Sequence, residues 1–228
     1  MPEMMQRWTI DALGRESLRL TNTEVPEPGP GEVLAKVAAV SLNYRDKLMI
    51  ETGMGVPLAF PFTPASDMAG TVAATGEGVD RFKVGDRVIS NFMPGWIDGR
   101  GAGNARVPSY RTLGGELPGV LAEYVAFPQD WFSRAPESLD DGEASTLPVA
   151  GLTAWFALVE RGGVRAGQTV VVQGTGGVAL LASRSPDFTG PRSSSPLEAT
   201  RSSHVQRLLA RRTGSIATTE AGLRRCIV

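Results

Sequence analysis

The sequence predicts an α/β chain in which a β-barrel or sandwich of short strands is followed by the opening of a parallel α/β domain. Three observations predict it. Over the first 130 residues short apolar runs are punctuated by Gly and Pro, after Pro128 the pattern turns helical, and Thr169 to Gln173 is a continuous β-branched run that leads straight into glycines.

Taken in order, Ser17 to Thr21 alternates, with Leu18 and Leu20 separated by polar residues. Val25 to Gly31 (VPEPGPG) is a turn, because its prolines cannot donate to a strand ladder and its glycines accept unusual φ. Glu32 to Val40 reads as a strand half buried on both sides, with Val33, Ala35, Val37 and Ala39 on one face. Met68 to Thr75 and Val84 to Ser90 are further strands, the second entered through a Gly85-Asp86 turn. Asn91 to Gly119, rich in Gly and Pro and without periodicity, reads as a long excursion loop, and Leu121 to Phe127 resumes a strand. Ser138 to Glu143 carries an acidic helix start, and Ala144 to Arg161 has room for one or two helices broken near Pro148 and Gly151. Gly162 to Gln168 is a turn before the run TVVVQ, which suits a parallel sheet covered on both faces.

The chain has 228 residues, 24 acidic against 23 basic, and a formal charge of −1 that hides a division. Residues 1 to 179 hold 21 acidic and 15 basic side chains, whereas residues 180 to 228 hold 3 and 8. No apolar run approaches the roughly 18 residues that span a bilayer. The N-terminus shows no basic region followed by an apolar stretch, so the expected compartment is cytoplasmic, with neither membrane nor nucleic acid as partner. One cysteine, Cys226, and one histidine, His204, can build neither a disulfide nor a Cys/His zinc site.

One motif carries chemistry. Gly174-Thr175-Gly176-Gly177-Val178-Ala179 matches G-x-G-x-x-G/A directly after a predicted strand. Gly174 permits the tight strand-to-helix turn, Gly176 lets backbone N–H groups approach a pyrophosphate, and the small Ala179 lets helix pack against strand. The field at the helix N-terminus favours the anion. The alternative reading is an ordinary glycine-rich turn.

Five further stretches stand at orderly spacing ahead of that loop: Val25 to Leu34 (VPEPGPGEVL), Ser41 to Asp46 (SLNYRD), Pro64 to Gly70 (PASDMAG), Val84 to Val88 (VGDRV) and Ala150 to Trp155 (AGLTAW). With them the stretch from Trp8 to Leu180 resembles the medium-chain dehydrogenase/reductase superfamily, in its zinc-free alcohol dehydrogenase and quinone oxidoreductase-like branch. The resemblance implies a GroES-like barrel catalytic domain over 1–128, the start of a Rossmann domain over 129–181, and an active site in the cleft between them. It implies NADP or NAD as cofactor and hydride transfer to or from a small alcohol, carbonyl, enone or quinone. Zinc-dependent relatives place Cys where Asn43 stands and Gly-His-Glu where Ala65-Ser66-Asp67 stand. None of these ligands is present, so the carbonyl would be polarised by hydrogen bonds and no zinc is expected.

The site residues keep two readings each. Asn43 orients a substrate oxygen or the nicotinamide ribose, or it caps the next helix. Tyr44 donates to a developing oxyanion, or it packs. Asp46 and Asp67 hold this wall in place, or they are capping and turn residues. Thr153 matches a position beside the nicotinamide, or its hydroxyl bonds back to the preceding helical turn. Gly174, Thr175, Gly176, Gly177 and Val178 form the cofactor loop. Trp96, Trp131 and Trp155 read as packing.

The resemblance stops near Leu180. Pro186 interrupts the helix, and Ser183 to Ser203 holds six further serines and three prolines with no residue suited to read a ribose, so residues 182–228 form a basic tail outside the family pattern. Either this is a disordered extension, or it is the parent gene read in a shifted frame. Joining the third base of each codon to the next two lets Ala182 to Pro186 spell Leu-Gln-Ile-Ala, which favours the shift and makes His204 and Cys226 accidents of frame. The full-length parent would then be the enzyme and an oligomer candidate, and this chain either retains the activity or is an inert barrel with half a cofactor fold.

Overall fold

The computed structural model describes residues 3–96, 103–104, 107–108, 111–165, 168, 170–184 and 226–227. The chain divides into two compact units, Met1–Val149 and Ala150–Val228. The first therefore runs past the expected change at Pro128. It does so because the strand Phe132–Arg134 pairs with Arg87–Ser90, and the short helix Asp141–Ala144 packs on two further strands of the sheet.

In the first unit β1 (Met4–Ile10) and β2 (Leu18–Glu24) make an antiparallel pair. β3 (Glu32–Ser41) leads to α1 (Tyr44–Thr52), and then come β4 (Asp67–Thr75) and β5 (Arg87–Ser90). The pair β6 (Gly103–Asn104) and β7 (Val107–Pro108) precedes β8 (Tyr124–Pro128), β9 (Phe132–Arg134) and α2 (Asp141–Ala144). The main sheet has five antiparallel strands in the order β8-β3-β4-β5-β9, which puts β4 at its centre. β1 was not expected from the sequence, since MMQRWTI lacks clean alternation. It is held across the sheet ends, Trp8 N–H donating to Leu121 O at 2.9 Å and Glu123 N–H to Gln6 O at 3.0 Å.

The core gathers Val33, Met68, Val72, Val88, Leu113 and Phe132, all buried. Leu113 adds to the reading of Asn91 to Gly119 as an excursion loop, since it is buried in the core. The loop's last part, Arg111 to Gly119, folds back into the core through tight turns, Gly115 N–H and Leu117 N–H both reaching Thr112 O. Turns carry no periodic signature, so this burial is invisible to pattern. The strand expected at Leu121 begins only at Tyr124, because Leu121 N–H and Val120 N–H are already taken by Pro64 O and Ala65 O. The strand expected from Val84 begins at Arg87, after the turn through Gly85 at φ +92°. α2 starts where acidic residues predicted: Asp140 Oδ1 accepts the Glu143 N–H at 2.7 Å, and Glu143 returns the bond to the Asp140 N–H at 3.2 Å.

From Leu147 the helical backbone continues without the expected break. The wide turn Leu147–Gly151 passes into α3 (Leu152–Trp155) and then into another wide helical segment, Phe156–Arg161. Pro148 lies in the first turn, where no N–H partner is needed, and Gly151 stays helical at φ −64°. In the second unit β10 (Val170–Val171) is shorter than the predicted Thr169 to Gln173, and α4 (Gly177–Arg184) follows the glycine loop. β10 is paired in parallel with β11 (Cys226–Ile227), so those two residues of the tail serve as a strand partner. The rest of the tail, 185–225 and 228, with the expectations placed on it, lies outside the described residues. Among the described residues the core of this unit gathers Ala154, Leu158 and Ala182, with Val170, Val172 and Val178 packed on them.

Candidate active site

The wall predicted from SLNYRD and PASDMAG forms in the first unit where α1 begins and β4 begins. Asn43 stands at the N-cap of α1 with extended backbone, and its N–H donates to Asp46 Oδ2 at 2.7 Å. Asp46 thus caps the Asn43 N–H, while the Asn43 side chain makes no cap hydrogen bond. Asp46 is 3% exposed, and Asp67, opposite Ser41 in the β3–β4 ladder, is fully buried. The Ser66 hydroxyl donates to Asp67 Oδ1 at 2.5 Å, and the Val149 N–H donates to Oδ2 at 2.9 Å. Asn43's amide lies near enough to Asp67 to favour its ionised form, yet Asn43 Nδ2 and Asp46 Oδ1 are both buried without a hydrogen-bond partner.

Burial dominates the electrostatics. It pushes both carboxyls above the ordinary aspartate value of 3.8, and Asp67's charge lifts Asp46 further. Opposing this, the Asn43 N–H and Arg45 pull Asp46 down, while Ser66, Asn43, the Val149 N–H and Arg45 pull Asp67 down.

Residues that the sequence did not single out complete the wall. Arg45 donates to Leu113 O at 3.1 Å and to Thr112 Oγ1 at 2.9 Å, and it lies 3.7 Å from Asp46 Oδ1. Ser90 donates to Ser66 O at 2.7 Å and accepts from Met68 N–H at 3.0 Å, tying β5 to the start of β4. Ala65 holds φ +69°, where a Cβ costs roughly 1–2 kcal/mol. Val120 N–H bonds its carbonyl, and Gly114 packs so close that a Cβ there would stand 2.5 Å from Ala65 O. Arg45 sits inside the SLNYRD motif, but an arginine on a first helical turn reads by default as solvated.

Tyr44 is placed apart from this cluster in exposure. Its side chain is 72% exposed, with Lys47 Nζ 5.4 Å from the ring centre. Trp96 and Trp155 are partly exposed, whereas Trp131 joins Phe127 at the core edge.

In the second unit Gly174 to Gly176 lie between β10 and α4, and Gly177 and Val178 are the first residues of α4. Gly174 has φ +102°, and a Cβ on it or on Gly176 would meet nothing within 4 Å. Thr175, Gly176 and Gly177 are exposed, while Val178 and Ala179 turn into the core. The open glycine face and the start of α4 fit a pyrophosphate bound by backbone N–H groups. Thr153 is exposed on α3, which packs against α4. Among the described residues no group of three His, Cys, Asp or Glu side chains is arranged to hold a metal.

Residues 29–137 match the alcohol dehydrogenase GroES-like domain. A zinc-type alcohol dehydrogenase-like protein of Schizosaccharomyces pombe is 38% identical over 172 residues, 74% of this chain and 49% of that protein. A chloroplastic quinone-oxidoreductase of Triphysaria versicolor is 35% identical over 167 residues, 71% of this chain and 44% of its own. Among solved structures, an alcohol dehydrogenase from Sinorhizobium meliloti 1021 superposes with a TM-score of 0.80 at 58% identity, covering 83% of this chain and 56% of that one. The chain thus spans about half the length of the relatives it matches.

Proposed function

The chain belongs to the medium-chain dehydrogenase/reductase superfamily, and from that premise we propose that it carries part of a zinc-independent, NAD(P)H-dependent oxidoreductase acting on a small alcohol, carbonyl, enone or quinone. The observation that carries the zinc-free reading is compositional. The single histidine and single cysteine stand at 204 and 226, while Asn43 and Ala65-Ser66-Asp67 occupy the positions where zinc-dependent relatives have ligands.

The chain's own residues would divide the work. When bound, the nicotinamide supplies or accepts the hydride. Gly174, Thr175, Gly176 and Gly177 present backbone N–H groups to the pyrophosphate, with Val178 anchoring the loop to the core and Thr153 lying beside the nicotinamide. Asn43, at the N-cap of α1, would orient a substrate oxygen or the nicotinamide ribose. Asp46 holds Asn43 through its backbone N–H, and Asp67 holds the amide's surroundings through Ser66 and Val149. Tyr44, exposed beside Asn43, would donate a proton or hydrogen bond to the developing oxyanion.

Titration of NADPH into the purified chain, followed by quenching of Trp fluorescence, tests this. Saturable quenching in the micromolar range is expected. A folded chain that shows none would overturn the reading and leave an inert barrel domain.

A further inference from the structure

Asp46 and Asp67 are two buried carboxylates on one wall, and the Arg45 guanidinium lies 3.7 Å from Asp46 Oδ1. The guanidinium is itself mostly enclosed. One nitrogen donates to Leu113 O at 3.1 Å, another to Thr112 Oγ1 at 2.9 Å, and the plane lies 4.9 Å from the centre of the Phe92 ring. The turn it grips has been shaped to admit it: a Cβ on Gly115 would collide with Thr112 Oγ1 and stand 3.1 Å from Arg45 Nη2. Arg45 directly follows Tyr44 and is two residues from Asn43, so any displacement of it moves the first turn of α1.

We propose that Arg45 is a positioning residue with two linked tasks: it fastens the Thr112–Gly115 turn to the first turn of α1, and it supplies the fixed positive charge that the buried Asp46 faces. A guanidinium suits both, since its planar fork makes several bonds at once and stays charged at every working pH. The role in catalysis rests on the function proposed above, because fixing α1 fixes the Asn43 amide. The structural and electrostatic roles do not.

The test uses the full chain with carboxyl-13C aspartate, comparing parent, Arg45→Gln and Arg45→Lys. In Arg45→Gln the Asp46 titration midpoint is expected to rise by about one pH unit, and that of Asp67 by less, since an opposite charge within a few ångströms lowers a carboxyl by that order. Arg45→Lys restores most of the Asp46 midpoint, yet amide exchange at Leu113, Gly115 and Leu117 stays about tenfold or more faster than in the parent, because an ammonium cannot reproduce the fork. Midpoints unmoved in Arg45→Gln overturn the charge role, and unchanged exchange in Arg45→Lys overturns the fastening role. Should Arg45→Gln not fold, Thr112→Val takes its place: faster exchange at Leu113 with unmoved carboxyl midpoints is expected, and unchanged exchange overturns the proposal. With a reducible enone and NADPH, Arg45→Lys should lose kcat about tenfold while the KM for NADPH stays within about twofold. If the parent reduces nothing, the proposed function fails, while the titration and exchange results still decide Arg45.

Discussion

Asp67 lies fully buried at the start of the central strand of a five-stranded sheet, held by a serine hydroxyl and a backbone N–H, whereas Gly174 and Gly176 stand in a loop where an added Cβ would meet nothing. Under the proposed function the first unit would work through side chains whose positions its core enforces. The second would work through backbone groups whose usefulness depends on nothing standing in front of them. The same size of substitution should therefore be felt as lost stability in one and lost binding in the other.

Four changes would break or sharpen that contrast. The largest effect is expected from Leu113→Ala, where removing a fully buried side chain from the returning turn should cost about 3 kcal/mol. Urea denaturation reads it, and a loss below about 1 kcal/mol would show that Arg111 to Gly119 is not part of the core. Asp67→Ala follows, with a loss of about 2 kcal/mol, because the Ser66 hydroxyl and Val149 N–H are left buried without an acceptor. Asp67→Asn should recover part of that by keeping one carbonyl acceptor.

In the second unit, Gly176→Ala should leave stability within about 0.5 kcal/mol and weaken NADPH binding by about tenfold, the added methyl standing where the pyrophosphate approaches. A variant that binds as well as the parent would remove the loop from the site. The smallest effect concerns pH. Burial raises the folded-state midpoints of Asp46 and Asp67 above 3.8, so between the unfolded and folded midpoints the folded chain binds more protons than the unfolded one. Relative to an Asp46→Asn, Asp67→Asn double variant, the parent should gain stability as pH falls through that window and lose it as pH rises past the folded midpoints. Denaturation of both proteins at several pH values checks the slope, and a parent that weakens on acidification relative to the variant would reverse the sign.

Legibility in the sequence followed physical range. Asn43 and Asp46 are three residues apart, so their capping contact was readable as a local rule. The turn at Gly85, the start of α2 and the glycine loop were readable for the same reason. Arg45 with Thr112 and Leu113 spans nearly seventy positions, and Ser90 with Ser66 spans 24, so no window of sequence contains both partners. β1 is a strand because it pairs with β2 and because Trp8 N–H and Gln6 O bond the distant Leu121 O and Glu123 N–H, not because of its own alternation.

By itself the sequence carried the family resemblance, the order of strands before helices, the glycine loop and the absence of Cys or His at positions 43 and 65–67, since each depends on residue identity at short spacing. Only the tertiary structure decided that the excursion loop returns into the core and that two aspartates share one buried wall, with Arg45 beside Asp46. It also decided that the first unit continues to Val149. Those outcomes depend on which distant groups are excluded from water together, and exclusion from water is a property of the folded assembly of residues, not of any stretch of them.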